Sequence, residues 1–316
     1  MPSPASRSSV AIACDESGYE GENMVGSMTD VFAHASVRID PEVATFCLAE
    51  LRDRIGSPAV EYKAGHLLRR RSRPTLLWFL GPYGPLRGNA RVFLVDKAWF
   101  VVRSAAETLL GDGAAAAALY RDRIASDDEL WRIFLEAAND LVRLRPNPDA
   151  VDSFFDIADA MRLAIADPVV DELCQARAVA AAYRDGIVHD PPVFPPLDAL
   201  FPAVLAAVRF WSADGSGVAV AHDRQNTFSV ARIAELDRQA AGALDEFRLV
   251  DSYADPCVQV ADFLAGIART IATRELFGET DDELSEMLRR YVEDTSIWAD
   301  ERSWSRISAA AYVDRT

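Results

Sequence analysis

The sequence predicts an α/β fold, with one domain over 1–316 and a mostly helical insertion or subdomain at about 102–213. Short apolar runs that are typical of buried strands lie at 9–14, 91–100 and 217–224. Between them, apolar residues recur at spacings of three and four, which favours helices. Strands early, helices in the middle and an alternation of strand and helix at the end indicate one α/β domain.

The N-terminal part predicts strands at 9–14 and 28–39, which we expect to be antiparallel neighbours. Pro41 then begins a helix that runs to about Arg54 and ends before Gly56. The segment AVEYKAGH at 59–66 reads as a short strand or an extended stretch. Residues 74–80 predict a helical turn, and RVFLVDKAWF at 91–100 is a continuous apolar run that predicts a buried strand.

The C-terminal part returns to strands after the helical segment. GVAVAHDR at 217–224 and EFRLVDSYAD at 246–255 predict two of them. A helix follows over 256–276, because Asp255 suits the capping position and Pro256 suits the first turn. One more helix is expected near 281–292.

The charge of the chain limits the classes of partner. The 316 residues carry a net charge of −16, so the chain repels nucleic acid and anionic membranes at long range. A polyanion partner needs a local basic patch or bound metal ions. No apolar run reaches the length of a membrane span, and the first ten residues are too short and polar for a signal peptide. We therefore expect a cytoplasmic protein without a membrane partner, of undetermined oligomeric state.

Acidic residues follow several of the predicted strands. Asp15 and Glu16 end the first, Asp96 lies at the end of the second strong apolar run, and Asp223 follows His222 at the end of a third. Each has a structural alternative, because an aspartate after a strand can cap the next helix or turn. If they converge, their mutual repulsion requires a divalent cation. Carboxylate oxygens are ligands that Mg²⁺ prefers, so the pattern predicts a Mg²⁺ or Mn²⁺ site.

Asp262 stands inside an almost wholly apolar helical segment. Gln259 precedes it by three residues and Gly266 follows it by four, so the three share one helix face. The side chain faces either solvent or the interior, and a buried carboxylate needs a partner or a metal.

A basic run, YKAGHLLRRRSR at 62–73, contrasts with the acidic chain. It holds Lys63, Arg69, Arg70, Arg71 and Arg73 and contains no acidic residue. One reading is a solvated basic loop or helix end; the other is a patch that contacts substrate phosphates beside the metal ions.

The segments CDESG, EYKAGH, VDKAWF, AHDRQ and DSYADPCVQVADFLAG together resemble the family called domain of unknown function 3800. The resemblance spans residue 9 to about 270, and its most specific part is Ser252 followed by Gln259 and the Ala261-Asp262 pair. It implies a ribonuclease H-like mixed sheet flanked by helices, and a metal-dependent nuclease.

Carried over onto this chain, the resemblance implies roles for several residues. Asp15 would be the metal ligand of the first strand and Asp262 that of the late helix, with Glu61 and Asp96 as further catalytic ligands. Lys63 would orient a phosphate or a ligand carboxylate. Glu16, Asp223 and Gln259 are further candidates, the first two for the metal and Gln259 for the substrate.

Three functions are consistent with these residues. The first is a nuclease that cleaves DNA or RNA through carboxylate-bound Mg²⁺ or Mn²⁺. The second is a non-catalytic module that binds a partner or a nucleotide, with structural acids. The third is hydrolysis of a small phosphate ester by the same ligands, independent of the basic run.

Overall fold

The computed structural model describes residues 8–55, 68–122, 128–165 and 167–309. In this part of the chain five strands form one mixed sheet, in the order β3-β2-β1-β4-β5. The strands are β1 (Ser9–Ser17), β2 (Val31–Val37), β3 (Ala90–Asp96), β4 (Gly217–Asp223) and β5 (Leu244–Val250).

The strand directions bring the acidic strand ends to one edge of the sheet. β1 pairs with β2 antiparallel, as the sequence predicted, and β2 pairs with β3 antiparallel. β1 pairs with β4 in parallel, and β4 pairs with β5 in parallel. Four strands therefore point the same way, and the carboxyl ends of β1, β3, β4 and β5 lie along the same edge.

Helices cover both faces of this sheet. They are α1 (Pro41–Ile55), α2 (Arg73–Leu80), α3 (Lys97–Leu110), α4 (Gly113–Asp122), α5 (Asp128–Val142), α6 (Ala150–Ala164), α7 (Pro168–Gln175), α8 (Arg177–His189), α9 (Leu200–Trp211), α10 (Val230–Gln239), α11 (Pro256–Leu276), α12 (Asp282–Leu288) and α13 (Glu301–Ile307). None of the helices in the described part is both long enough and apolar enough to cross a membrane.

The buried apolar residues form two layers, one on each side of the sheet. On one side, which we call the α11 face, strand residues such as Ala13, Ala33 and Ala35 pack against α1, α2, α11, α12 and α13. On the opposite face, Ile12 and Cys14 pack against the helices α3 to α10. Small alanines under α11 let this long helix lie close to β1 and β2, which it contacts most extensively.

In the described residues the predicted elements are present, but several differ at their ends. The strand predicted over 246–255 spans Leu244–Val250, the helix expected near 281–292 ends at Leu288, and a further helix over Glu301–Ile307 was not predicted. The helix over 256–276 and the helix from Pro41 are present. The strand predicted over 91–100 is wrong beyond Asp96, because α3 begins at Lys97. The side chain of Asp96 accepts a hydrogen bond from the backbone N–H of Trp99 and so caps that helix. The predicted extended segment at 59–66 lies outside the described residues.

Candidate functional site

The two acidic residues at the end of β1 are directed to opposite faces of the sheet. Successive side chains of a strand alternate between faces, so Asp15 shares the α11 face with Ala13, and Glu16 shares the opposite face with Cys14. Both lie in a regular part of the strand, where Asp15 pairs with Ala35 and Glu16 with His34. The adjacent carboxylates of the sequence therefore do not form one pair of equivalent ligands.

Asp15 meets two other acids at the α11 face. It is 5% exposed and interacts electrostatically with Asp262 of α11 and Asp223 of β4, as well as with Glu16. Burial, followed by the charges of Glu16, Asp262 and Asp223, raises the pKa of Asp15 from 3.8 to about 9. A backbone hydrogen bond from the N–H of Glu16, 2.7 Å long, opposes this shift. The structure thus brings together residues that are more than 200 positions apart in the sequence.

Asp262 lies on α11, whose N-terminus is fixed by a capping residue and a proline. The carboxylate of Asp255 accepts hydrogen bonds from the backbone N–H groups of Cys257 and Val258, and Pro256 occupies the first turn. The predicted cap is therefore confirmed. Most of the helix is buried against the sheet, and Asp262 remains partly accessible at its edge. The same face continues to Gly266, which is buried.

The opposite face carries a different polar group, formed by Glu16, His34, His222 and Gln225. The side-chain amide of Gln225 donates to Oε1 of Glu16, and Nε2 of His222 lies 3.7 Å from Oε2. The rings of His34 and His222 stack with centroids 5.4 Å apart. Among the described residues, none forms a hydrogen bond with Glu16 Oε2, His34 Nε2 or His222 Nε2.

Burial determines the charges of this second group. It raises the pKa of Glu16 to about 8, with the charge of Asp223 as the next cause and the Gln225 hydrogen bond in opposition. It lowers the pKa of His222 to about 4 and lowers that of His34 well below its usual range. Both imidazoles are therefore neutral near pH 7.

The loop after β5 is held by Asp223 and Gln259. Oδ1 of Asp223 accepts a hydrogen bond from the backbone N–H of Ser252 at 3.0 Å. The side-chain amide of Gln259 donates to the carbonyl oxygens of Ser252 and Tyr253, at 2.8 and 3.3 Å. Gln259, predicted to contact substrate, thus holds the loop in place, and the side chain of Tyr253 is 67% exposed beside it.

Asp96 is held apart from the acids of β1. It is fully buried, caps α3 and accepts a hydrogen bond from the hydroxyl of Tyr120. Its partner in the sheet is Val31 of β2, so it lies two strands away from β1. This arrangement matches the capping alternative that the sequence left open.

The remaining predicted residues fall in two groups. Glu61 and Lys63 lie outside the described residues. Arg69 and Arg71 are exposed, and the side chain of Arg70 is outside the description. The last residue of the run, Arg73, forms ion pairs with Asp281 and Glu283, at the start of α12. The phosphate-binding patch remains a prediction.

The potential ligand atoms at this site are carboxylate oxygens, which suit a hard cation such as Mg²⁺. Buried carboxylates that raise one another's pKa lose this repulsion when a divalent cation lies among them. In the described residues, however, no three histidine, cysteine, aspartate or glutamate side chains are close enough together to hold a metal ion. Mg²⁺ is commonly held by only one or two carboxylates, with water and substrate phosphates completing its coordination. Asp15 and Asp262 fit that role.

Two cations at the end of β1 were not predicted as site residues. Nε of Arg269 donates to Oγ of Ser17 at 2.9 Å, and Lys97 is 2% exposed. Arg269 is seven residues after Asp262, with Gly266 between them at helical spacing, so all three lie on one face of the helix. This spacing is the feature of the sequence from which Arg269 could have been found.

Comparisons of the chain with protein-family models, with curated proteins and with solved structures found no match. The site therefore has to be interpreted from its own geometry.

Proposed function

We propose that the chain is a divalent-metal-dependent phosphodiesterase that cleaves nucleic acid. One observation carries the proposal: carboxylates from β1, β4 and α11 lie near one another at one edge of the sheet, where burial first and then their charges raise the pKa of Asp15 to about 9. When these carboxylates are ionised, their mutual repulsion destabilises the folded state unless a cation neutralises part of the charge. Ionisable residues whose pKa is strongly shifted by burial and by neighbouring charges are concentrated at functional sites.

In this proposal Asp15 and Asp262 hold Mg²⁺ or Mn²⁺, and Asp223 has a supporting position. When bound, the metal would lower the pKa of a water molecule and stabilise charge on the scissile phosphate. The protein residues would fix the position of the ion, because β1 and α11 are both buried elements of the core. Asp223 would couple the site to the loop at 251–255 through its hydrogen bond to Ser252.

The nuclease assignment and the ribonuclease H-like fold belong to the same proposal. The described chain is an α/β structure with a mixed five-stranded sheet flanked by helices, which is compatible with that fold. The motif resemblance to the domain of unknown function 3800 family supports the substrate class. The exposed Tyr253 beside the site gives a flat apolar surface of the kind on which bases stack.

The first experiment is a calorimetric Mn²⁺ titration, which needs no choice of substrate. Asp15→Asn and Asp262→Asn should each weaken binding strongly, because each removes one negative charge and one ligand oxygen. Asp53→Asn is the matched control, since Asp53 is an exposed aspartate on α1. Thermal unfolding of every variant checks that the fold is retained.

The second experiment is cleavage of labelled DNA and RNA in Mn²⁺. We expect activity in the native chain and in Asp53→Asn, and a loss of at least about 1,000-fold in Asp15→Asn, as when a metal-activated water is removed. Full cleavage by Asp15→Asn would contradict the assignment. Cleavage of a small chromogenic phosphoester without cleavage of either nucleic acid would favour the small-molecule phosphoesterase instead.

A second candidate function is a non-catalytic module that binds a partner or a nucleotide. The separation of the carboxylates favours it, since no three potential ligands meet within the described residues. It predicts no Mn²⁺ binding in the calorimetric titration, and little effect of Asp15→Asn beyond stability.

A further inference from the structure

Among the described residues, Arg269 differs from the other buried or partly buried arginines in having neither an acidic partner nor a backbone carbonyl partner for its guanidinium. The others each pair with a carboxylate or with backbone carbonyl oxygens; they are Arg73, Arg91, Arg143, Arg184, Arg232, Arg289 and Arg306. Within the described residues, Arg269 donates only to the hydroxyl of Ser17, and burial alone lowers its pKa. In a chain of net charge −16, a partly buried guanidinium without a carboxylate is unusual.

A second cation lies close to Arg269. Nζ of Lys97 donates to Oγ of Ser27 at 3.0 Å and to Oγ1 of Thr29 at 2.8 Å, and Glu20 is 3.8 Å away. Burial lowers the pKa of Lys97, the charges of Glu20 and Asp30 oppose that shift, and the positive charge of Arg269 adds to it. Arg269 is therefore close enough to act on the charge of Lys97, and two carboxylates, Glu20 and Asp30, also lie near Lys97.

The backbone at Gly18 packs closely against the side chain of Arg269. Gly18 has φ +84°, and a Cβ there would lie 2.6 Å from the carbonyl oxygen of Val31, 2.8 Å from Cδ of Arg269 and 3.0 Å from Oγ1 of Thr29. Only glycine fits this position without strain. Ser17, Gly18, Thr29, Lys97 and Arg269 thus form a small cradle, which we call the cation cradle, rich in hydrogen-bond donors.

The cation cradle lies farther along β1 and α11 than the carboxylates of Asp15 and Asp262. Ser17 lies two residues beyond Asp15 on β1, or about 6.5 Å along the strand. Arg269 lies seven residues beyond Asp262 on α11, or about 10 Å along the helix axis. A phosphate bound in the cradle is therefore a different group from a phosphate bound beside Asp15 and Asp262.

We propose that the cation cradle binds a second phosphate of the substrate, adjacent to the one that is cleaved, and that the substrate is therefore a nucleic acid strand rather than a small phosphate monoester. This inference rests on the proposed function for the position of the cleaved phosphate. A guanidinium can bind a phosphate through two parallel hydrogen bonds, which suits Arg269 to this role.

The test is binding of a fluorescein-labelled single-stranded oligothymidine in EDTA, measured by fluorescence anisotropy at several salt concentrations. We expect Arg269→Gln to weaken binding about 10-fold and to lower the slope of log affinity against log salt by about 0.7, the value for one phosphate contact on a single strand. Arg269→Lys should retain most of the slope.

Arg274→Gln is the matched control, because Arg274 is an exposed arginine of the same helix. It should change the affinity less than 2-fold. Equal effects of Arg269→Gln and Arg274→Gln, in variants that unfold at the native temperature, would overturn the proposal. So would a native chain that does not bind the oligonucleotide in EDTA.

The same experiment separates this proposal from the proposed catalytic function. Asp15→Asn should bind the oligonucleotide in EDTA about as tightly as the native chain, since a carboxyl group with a pKa of about 9 is already mostly uncharged near pH 7, but it should not cleave the oligonucleotide in Mn²⁺. If the native chain binds the oligonucleotide through Arg269 but shows no metal-dependent cleavage, the nuclease assignment is refuted and the phosphate site is retained.

Discussion

At the carboxyl end of β1, the two faces of the sheet give the neighbouring residues Asp15 and Glu16 different surroundings. On the α11 face, Asp15 meets Asp223 and Asp262, so acid repels acid. On the opposite face, Glu16 meets Gln225 and the neutral His222. One residue of displacement along the strand thus separates a carboxyl group that faces other acids from one that lies among uncharged imidazoles, while the charge of Asp223 acts on both.

The largest expected effect compares these two faces by metal affinity. Asp15→Asn should raise the Kd for Mn²⁺ about 100-fold or more, whereas Glu16→Gln should raise it no more than about 10-fold, the lower limit for residues that only support a ligand. Isothermal calorimetry measures both. Equal losses in the two variants would show that Glu16 binds the ion directly and that the two faces act as one site.

The next prediction tests whether the opposite face is structural. His34→Ala should lower the free energy of unfolding by about 2–4 kcal/mol, because it leaves a cavity beside the stacked ring of His222. Mn²⁺ affinity should be retained. His189→Ala is the control on an exposed histidine, with a change of at most about 0.5 kcal/mol. Urea unfolding measures both, and a stable His34→Ala that loses Mn²⁺ would reverse the roles of the faces.

The pH dependence of stability is the third prediction. The pKa of Asp15 is raised from 3.8 to about 9, so the folded chain binds a proton that the unfolded chain releases between these values. Stability should therefore be highest near pH 4–5 and should fall as the pH rises toward 9 in EDTA. We expect a loss of about 2 kcal/mol, or roughly 5 °C in Tm.

Asp15→Asn should weaken this pH dependence, since the amide does not titrate, but should not abolish it, because the pKa of Glu16 is also raised, to about 8. Mn²⁺ should restore more stability to the native chain at pH 8 than at pH 5. Thermal unfolding between pH 5 and pH 9 provides the measurement. A native profile that is flat over this range, in EDTA, would argue against a buried acidic cluster on the α11 face.

The smallest effect concerns the loop beside the site. Gln259→Ala should remove two hydrogen bonds to the backbone of the loop at 252–253 and lower the free energy of unfolding by about 1 kcal/mol. Oligonucleotide affinity in EDTA should change little, because the amide holds the chain and not the substrate. A large loss of affinity with unchanged stability would return Gln259 to the role that the sequence predicted.

Much of the fold follows from local patterns. The boundaries of α11 were predictable because an aspartate cap and a first-turn proline mark its start, and the antiparallel pairing of β1 with β2 follows from their closeness in the sequence. The end of β3 was not predictable, because the apolar residues after Lys97 belong to α3 and continue the same hydrophobic run. Periodicity does not separate a short buried strand from the first turn of a buried helix.

The site was predictable in its residue types but not in their grouping. Asp15 and Asp262 stand out as acids in apolar segments, and the structure places them together. Asp96 has the same appearance in the sequence, but its carboxylate caps α3 through the backbone N–H of Trp99 and accepts a second hydrogen bond from Tyr120 of another helix. Arg269 was missed because its spacing from Asp262 shows only that the two share a helix face. That Arg269 has no carboxylate partner among the described residues follows from the packing of the molecule.

α11 carries a loop anchor, an acid and a cation on one helix, at Gln259, Asp262 and Arg269. Inserting a single residue between the last two would rotate Arg269 by about 100° around the helix axis and remove it from Ser17. Point substitutions can alter each of these residues separately, but insertions and deletions cannot be tolerated between them. Homologues that share the cradle should therefore vary in the length of their loops and conserve the length of this segment.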